Sequence, residues 1–348
     1  MKKFMFLLVA ALMSTAMSFG QNTLVATLDH GGEISIFYGS SALINAYNAA
    51  DHGDVITLSS GVFDVPVFSK AITIRGAGMH YNQTAQTDYT FLTAAHAYRY
   101  NDRYIMIDSE ALEQVEGNLI FEGVRFDQFG KQGDYENNGD RDLAITKTQF
   151  IRCFFTNLAL SSYIESNCTF INCRFSNSLA SYGNENVTCL NCLINSLTAS
   201  RGNYKNCVID NMSIENATYV YMENCCFLSP EAIRSFPNSA TLMNCVSPTS
   251  NTFRNVSNST NMVVSSVDAL FKTARAGKMY EDEYETYELT DEAKTTYLGT
   301  DGTQVGIYGG IAPYTPTPSN PQITRFNVAQ KATADGKLSV DIAVNGAE

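Results

Sequence analysis

The sequence predicts an all-β solenoid, a parallel β-helix, and three observations within residues 149–258 carry that expectation. The first is a recurring phrase: an apolar residue, two others, Cys or Val, one other, then a second apolar residue. It runs Phe150/Cys153/Phe155, Phe170/Cys173/Phe175, Cys189/Cys192/Ile194, Tyr204/Cys207/Ile209 and Met222/Cys225/Phe227. Leu242/Cys245 and Phe253/Val256 continue it, and Phe121/Val124/Phe126 is an earlier copy. The second is the period. Successive Cys of the phrase lie 20, 19, 15, 18 and 20 residues apart, and a repeat near 20 residues buries its apolar side only against its neighbours. The third is the residue before each Cys or Val: Asn172, Asn191, Asn206, Asn224, Asn244 and Asn255, with Gly123 earlier and Arg152 as the exception. Asn and Gly tolerate a left-handed backbone. Apolar positions three and then two apart break the alternation of a strand at that residue. Two short strands therefore meet at a one-residue corner, the Cys points inward just after it, and the stacked Asn form a ladder in which each amide bonds the next.

Taken in order, residues 1–20 read as a secretory signal. Lys2-Lys3 is the basic start, residues 4–13 the apolar core, and Ser18-Phe19-Gly20 the small-residue cleavage site. That apolar run is too short to span a membrane, no later run reaches that length, and no Cys before Cys153 offers a lipid anchor. The expected location is export: periplasm, cell surface or medium. Residues 21–52 hold one or two strands and a short amphipathic helix over 40–50, with Leu43, Ile44, Tyr47 and Ala50 on one face. Such a helix covers the open end of a solenoid, where strand edges and core are otherwise bare.

Residues 53–310 are assigned to the β-helix itself. Its opening is Gly53-Asp54-Val55-Ile56-Thr57-Leu58-Ser59-Ser60-Gly61-Val62-Phe63, followed by Ile72-Thr73-Ile74-Arg75-Gly76. Further rungs fall at Tyr104-Ile105-Met106-Ile107 and Leu119-Ile120-Phe121. A polar, Gly-rich insertion interrupts the repeat over 130–142, regular rungs run from 143 to about 264, and 269–296 is acidic and less regular. Residues 311–322 form a Pro-rich linker, and 323–348 alternate as two strands around Asp335-Gly336. That tail is too small to fold alone and is expected to dock on the helix end or on a partner.

The opening phrase and the Asn corners resemble the pectate-lyase-like superfamily, whose right-handed parallel β-helix carries an Asn ladder. Right-handedness also follows the rule for parallel crossovers. Thr300-Asp301-Gly302-Thr303-Gln304-Val305-Gly306-Ile307-Tyr308-Gly309-Gly310 resembles the closing phrase of many secreted bacterial β-helix proteins, those of Bacteroidetes especially. Together these imply roughly a dozen rungs, about 60 Å long at one strand spacing per rung.

The charge of −12 and the lack of any basic cluster argue against nucleic acid and anionic membrane as partners. They also disfavour polyanionic glycans unless metal ions bridge them. Nine Cys in an exported chain would ordinarily suggest disulfides. Here six of them fill one repeated inward position that Val fills at either end of the series, so reduced, buried thiols are expected. Cys189 and Cys192 form a C-x-x-C, yet Cys189 stands where neighbouring rungs have Phe170 and Tyr204, which makes both core residues. In Cys225-Cys226 one faces inward and one outward, making Cys226 the exposed, reactive thiol. The four His (His30, His52, His80, His96) share no close spacing and suggest no metal site.

The sharpest chemical signal is Asp134, Glu136, Asn138, Asp140 and Asp142, oxygen donors on alternate positions with Gly139 at the sixth. They resemble half of a Ca²⁺ loop, with Ile145 where the twelfth-position Glu belongs. Asp127, Lys131 and Arg141 lie around the same insertion and are the candidate catalytic residues, with Arg125, Lys147, Arg152 and Tyr135 nearby. In the superfamily, catalytic groups project from the first strand of each rung. That strand is expected at 158–162, 179–182, 197–201 and 212–216, with Leu and Met inward. The outward residues are then Ala159, Ser161, Ala180, Tyr182, Thr198, Ser200, Ser213 and Glu215. One carboxylate among them matches neither the paired carboxylates of a hydrolase nor the base and cations of a lyase. The expectation is an exported, non-catalytic protein that binds glycan or a cell-surface protein or serves as a structural module, with Ca²⁺ as the one candidate cofactor. The alternative is a polysaccharide lyase or glycoside hydrolase at the insertion.

Overall fold

The computed structural model describes residues 24–81, 88–94, 97–98, 102–103, 105, 107–126, 145–156, 168–181, 187–199, 201–213, 219–229, 240–253, 260–281, 284–319, 321–329, 331, 333 and 335–345. No helix among them is long and apolar enough to cross a membrane.

The chain opens with an antiparallel hairpin, β1 (Val25–His30) and β2 (Glu33–Tyr38), turned at Gly31-Gly32, and then the helix α1 (Ala42–Ala49). Ala42, Leu43, Ala46 and Tyr47 of α1 are buried. Strand β1 lies antiparallel on β3 (Val55–Leu58), and from there every described pairing of the two long sheets is parallel. Each coil contributes one strand to each sheet. The pairs are β3 with β4 (Gly61–Val65), then β5 (Thr73–Arg75) with β6 (Thr90–Ala94). A small hairpin, β7 (Ala97–Tyr98) and β8 (Asp102–Arg103), and a turn of helix, α2 (Ser109–Glu113), follow before β9 (Leu119–Glu122) and β10 (Val124–Phe126). The series continues with β11 (Thr148–Ile151) and β12 (Phe154–Phe155), β13 (Cys168–Ile171) and β14 (Arg174–Ser181), β15 (Val187–Leu190) and β16 (Leu193–Ala199). It ends with β17 (Arg201–Lys205) and β18 (Val208–Ser213), β19 (Tyr219–Glu223) and β20 (Cys226–Phe227), β21 (Ala240–Met243) and β22 (Val246–Ser247), and β23 (Met262–Val263).

The result is a parallel β-helix. Its first sheet has eleven strands, from β2 at one edge to β21 at the other, and its second has ten, from β4 to β23. Among the described residues there are nine complete two-strand coils, fewer than the dozen the repeat suggests, because the chain beyond β23 leaves the coil.

The corner residues take the backbone expected of them. Asn172, Asn191, Asn206, Asn224 and Asn244 have φ between 50° and 57°, Gly123 has 63° and Arg152 has 53°. The Arg152 guanidinium is held 2.7 Å from a buried Glu122 carboxylate oxygen, so an ion pair anchors the one corner with neither Asn nor Gly. Inside, side chains stack by coil. Phe121, Phe150 and Phe170 stack with nearly parallel rings at centroid steps of 5.5 and 4.9 Å, and Phe126, Phe155 and Phe175 at 5.0 and 4.9 Å. Cys189, Tyr204, Met222 and Leu242 continue the first column. Tyr204 fits because Gly202 has no Cβ, which would sit 2.8 Å from the phenol ring.

All nine Cys are free and buried. Those after the corners occupy one column, and each Sγ meets a carbonyl of the preceding coil: Cys173 with Phe150 at 3.2 Å, Cys192 with Phe170 at 3.4 Å, Cys207 with Cys189 at 3.5 Å. A thiol there fills the volume of Val and adds a weak donor to a corner carbonyl.

Beyond β23 the chain turns back outside the solenoid as a strap. Residues 264–281 and 284–297, with α3 (Val267–Leu270) and α4 (Asp291–Thr296), cover the outer face of the second sheet. Leu193, Val208, Cys226 and Val246, which share one outward register on β16, β18, β20 and β22, are buried with Leu270, Met279, Tyr287 and Val305 in a second core. Cys226 is therefore 0% exposed, against the expectation of a reactive surface thiol. It does face outward, and the strap lies on it.

The closing segment, 298–310, lies along the Asn corners. Asn244 Nδ2 donates to Leu298 O at 3.0 Å, and Asn224 Oδ1 accepts from Thr300 N at 2.9 Å. Asn206 Nδ2 donates to Gly306 O at 3.4 Å, and Asn191 Nδ2 to Ile307 O at 2.8 Å and Gly309 O at 2.7 Å. The ladder exists as a column, but these amides bond the strap rather than one another. Gly309 and Gly310 allow that approach, since a Cβ on either would meet the Asn206 amide within 2.9 Å. Pro318 then packs over Gly123, and Ser319 N donates to Glu122 at 3.0 Å. The strap thus runs backwards from the corner before β22 to the corner after β9. The tail follows as an antiparallel pair, β24 (Gln322–Val328) and β25 (Val340–Asn345), around Asp335-Gly336 as expected.

Candidate functional site

Residues outward on the second sheet stand in register: Val62, Phe91, Arg125, Phe154, Arg174, then the strap-covered Leu193 and its successors. Where strap cover ends, aromatic residues and one cation collect. The Arg125 guanidinium lies 4.3 Å from the Phe154 ring centroid and 4.8 Å from that of Tyr89. His80 lies 5.3 Å from Phe154 and 5.9 Å from Tyr284, and Tyr89 meets Phe91 edge-on at 6.2 Å. Tyr284 is 59% exposed and Val62 55%. Each ring is placed by a different part of the fold: Phe91, Arg125 and Phe154 by consecutive strands, His80 and Tyr89 by the connection from β5 to β6, and Tyr284 by the strap. The arrangement is a partly exposed aromatic platform held by a guanidinium between two ring faces.

At the inner end of the platform two charges are fully covered by the strap. Arg174 Nη2 donates to Met279 O at 2.9 Å. Asp210, outward on β18, accepts from Gly277 N at 2.8 Å and Met279 N at 3.3 Å. Burial raises the Asp210 carboxyl above its ordinary range, and the backbone donors of residues 277–279 oppose that rise without cancelling it. These two side chains clamp one turn of the strap, cation to carbonyl and anion to N–H.

Asp127, Lys131 and Arg141, together with Asp134, Glu136, Asn138, Asp140, Asp142 and Tyr135, lie outside the described residues. Of the cations grouped with them, Arg125 belongs to the platform, while Lys147 and Arg152 do not. Lys147 Nζ donates to Val115 O at 2.7 Å, at the end of α2, and Arg152 serves Glu122 at the corner. The strand expected at 179–182, 197–201 and 212–216 exists as the continuation of β14, β16 and β18 beyond an irregularity after Phe175. Leu179, Leu197 and Met212 are stacked and buried as expected, and the backbones of residues 180, 198 and 213 pair in register beside them. Ala159, Ser161, Tyr182, Ser200 and Glu215 lie outside the described residues.

No group of three or more His, Cys, Asp or Glu among the described residues could hold a metal ion. His30 pairs with Asp54 at 2.9 Å, and that carboxylate raises the imidazole's affinity for its proton. His52 accepts from Ala71 N at 3.1 Å. Burial pushes Cys168 up to about 12 and raises Cys189 and Cys226 as well, so these thiols stay protonated and poorly nucleophilic. The platform offers aromatic faces and hydrogen-bond donors, and the His30–Asp54 pair belongs to the opening hairpin and β3, apart from it. Compared with family models, curated proteins and solved structures, the chain matches none.

Proposed function

We propose that this chain is an exported, non-catalytic right-handed β-helix protein of the pectate-lyase-like superfamily, of the type secreted by Bacteroidetes, and that it binds a glycan. The observation that carries the binding reading is the platform of Tyr89, Phe91, His80 and Tyr284 around Arg125 at the end of the strap. The C–H face of a pyranose packs on an exposed ring, while phenol and guanidinium hydrogens reach its hydroxyls. A net charge of −12 favours a neutral glycan over a polyanion.

The test is calorimetric titration of residues 21–348 with neutral polysaccharide fragments. Tyr89→Ala and Tyr284→Ala each remove about 0.5–1.5 kcal/mol of ring contact, so each weakens binding roughly 2- to 12-fold. Tyr219→Ala, an exposed ring on the first sheet, leaves it unchanged. Equal effects from all three, or no binding by the parent chain, reject the platform. A second reading, lyase or hydrolase chemistry at 127–142, rests on Arg125, a member of the platform that precedes Asp127 by two positions in the sequence. Chain cleavage during the same incubations, dependent on Ca²⁺ and lost in Asp140→Ala, would favour it instead.

A further inference from the structure

The two ends of the described chain each leave an apolar strand uncovered. Among the described residues, strand β2 is the last strand of the first sheet and pairs with β1 alone. Ile34, Ile36 and Tyr38 on it are 52–64% exposed. An edge strand with an exposed apolar stripe is a template for another strand, and the usual protections are a charge, a proline or a cover. Within β2 the only charge is Glu33, at its first position. At the other end, β24 and β25 form a sheet of two strands. Val340, Ile342 and Val344 are 50–52% exposed, and a two-stranded hairpin needs a third strand or a packed face to be stable in water.

We infer that the C-terminal hairpin of one copy of this chain adds to the β2 edge of a second copy, aligning Val340, Ile342 and Val344 with Ile34, Ile36 and Tyr38. Both are six-residue strands with apolar side chains on alternate positions. The strap decides between the same copy and another. It fixes Ser319 at Glu122, on β9, and the sheet order β2-β1-β3-β5-β9 puts a strand added beyond β2 five spacings from β9, about 24 Å at ~4.8 Å each. Three residue steps from Ser319 to Gln322 span at most about 10 Å. A hairpin tethered there cannot reach its own β2 edge by strand addition. Each copy therefore offers one edge and one hairpin on different surfaces, and the contact is head-to-tail.

Light scattering and sedimentation of residues 21–348 over a range of concentrations test this. The parent chain self-associates with rising concentration. Ile36→Lys and Ile342→Lys, each at a half-exposed position, keep the parent's circular dichroism and are monomeric. An equimolar mixture of the two forms a one-to-one pair and nothing longer, because one supplies an intact hairpin and the other an intact edge. The same chain ended after Ser319 is monomeric. A parent chain that stays monomeric up to its solubility limit overturns the inference. So does self-association of Ile36→Lys alone, which would mean hairpins pairing with each other, and so does a mixture that stays monomeric.

Discussion

The corner asparagines hold the backbone in the left-handed region and hold the strap, and each task has its own cost when removed. At Asn191, φ is 53° and the amide donates to two strap carbonyls. Asn191→Gly keeps the corner and loses the amide, so it should destabilise by about 1–3 kcal/mol. Asn191→Ala loses the amide and adds about 1–2 kcal/mol of backbone strain. Urea unfolding of the three chains checks this: a glycine variant no more stable than the alanine variant would mean the corner conformation contributes nothing. The corner was legible in the sequence, because Asn recurs where the apolar spacing changes from three to two. The amides' partners were not, since Asn191 meets residues 307 and 309 across more than a hundred positions. The repeat alone suggested that asparagines bond asparagines.

At the scale of elements, the strap explains why outward residues on the second sheet change character along the solenoid. Leu193, Val208 and Val246 are apolar at positions that a bare solenoid would expose. That parity was the one available sign of a cover, and it lay unread behind the inward Cys pattern. The platform was hidden for a similar reason: Phe91, Arg125 and Phe154 share a face only once the coils are in register, and Tyr284 reaches it from the strap. Asp210 gives the strap a pH signature. Its native pKa is raised above the unfolded value, chiefly by burial, so the native state binds the proton more tightly. The associated stability is fully present below the unfolded pKa and is lost as pH rises through the native one. Asp210→Asn has no such titration. Its stability relative to the parent should therefore fall as pH is lowered through the native pKa of Asp210. Denaturant melts of both chains between pH 3 and 7 measure the difference, and parallel curves would show that Asp210 titrates alike in both states.

For the whole molecule, the strap changes how a solenoid should unfold. Coils that touch only their neighbours can fray from one end, so a bare solenoid need not melt in one step. Here the segment from Leu298 to Ser319 is bonded to Asn244 in the last complete coil and to Glu122 in the third. It crosses the corners of the coils between, at Asn224, Asn206 and Asn191. Opening the C-terminal coils then means releasing contacts made six coils away, which couples the two regions. The full chain should show a single urea transition, coincident by circular dichroism and by tyrosine emission, the chain having 19 Tyr and no Trp. Ending the chain at residue 297 removes the corner bonds together with Val305 and Ile307 of the second core, and leaves the rest of the cover before residue 298. Unfolding should then begin at the C-terminal coils, with a shallower denaturant dependence because less surface is exposed in the first step. Cys226 and Cys245 should react with a thiol reagent before Cys153 does. A truncated chain with an unchanged slope and a lower midpoint would mean that the strap adds stability without coupling, and that the stacked Phe and Cys columns alone make the coils cooperate.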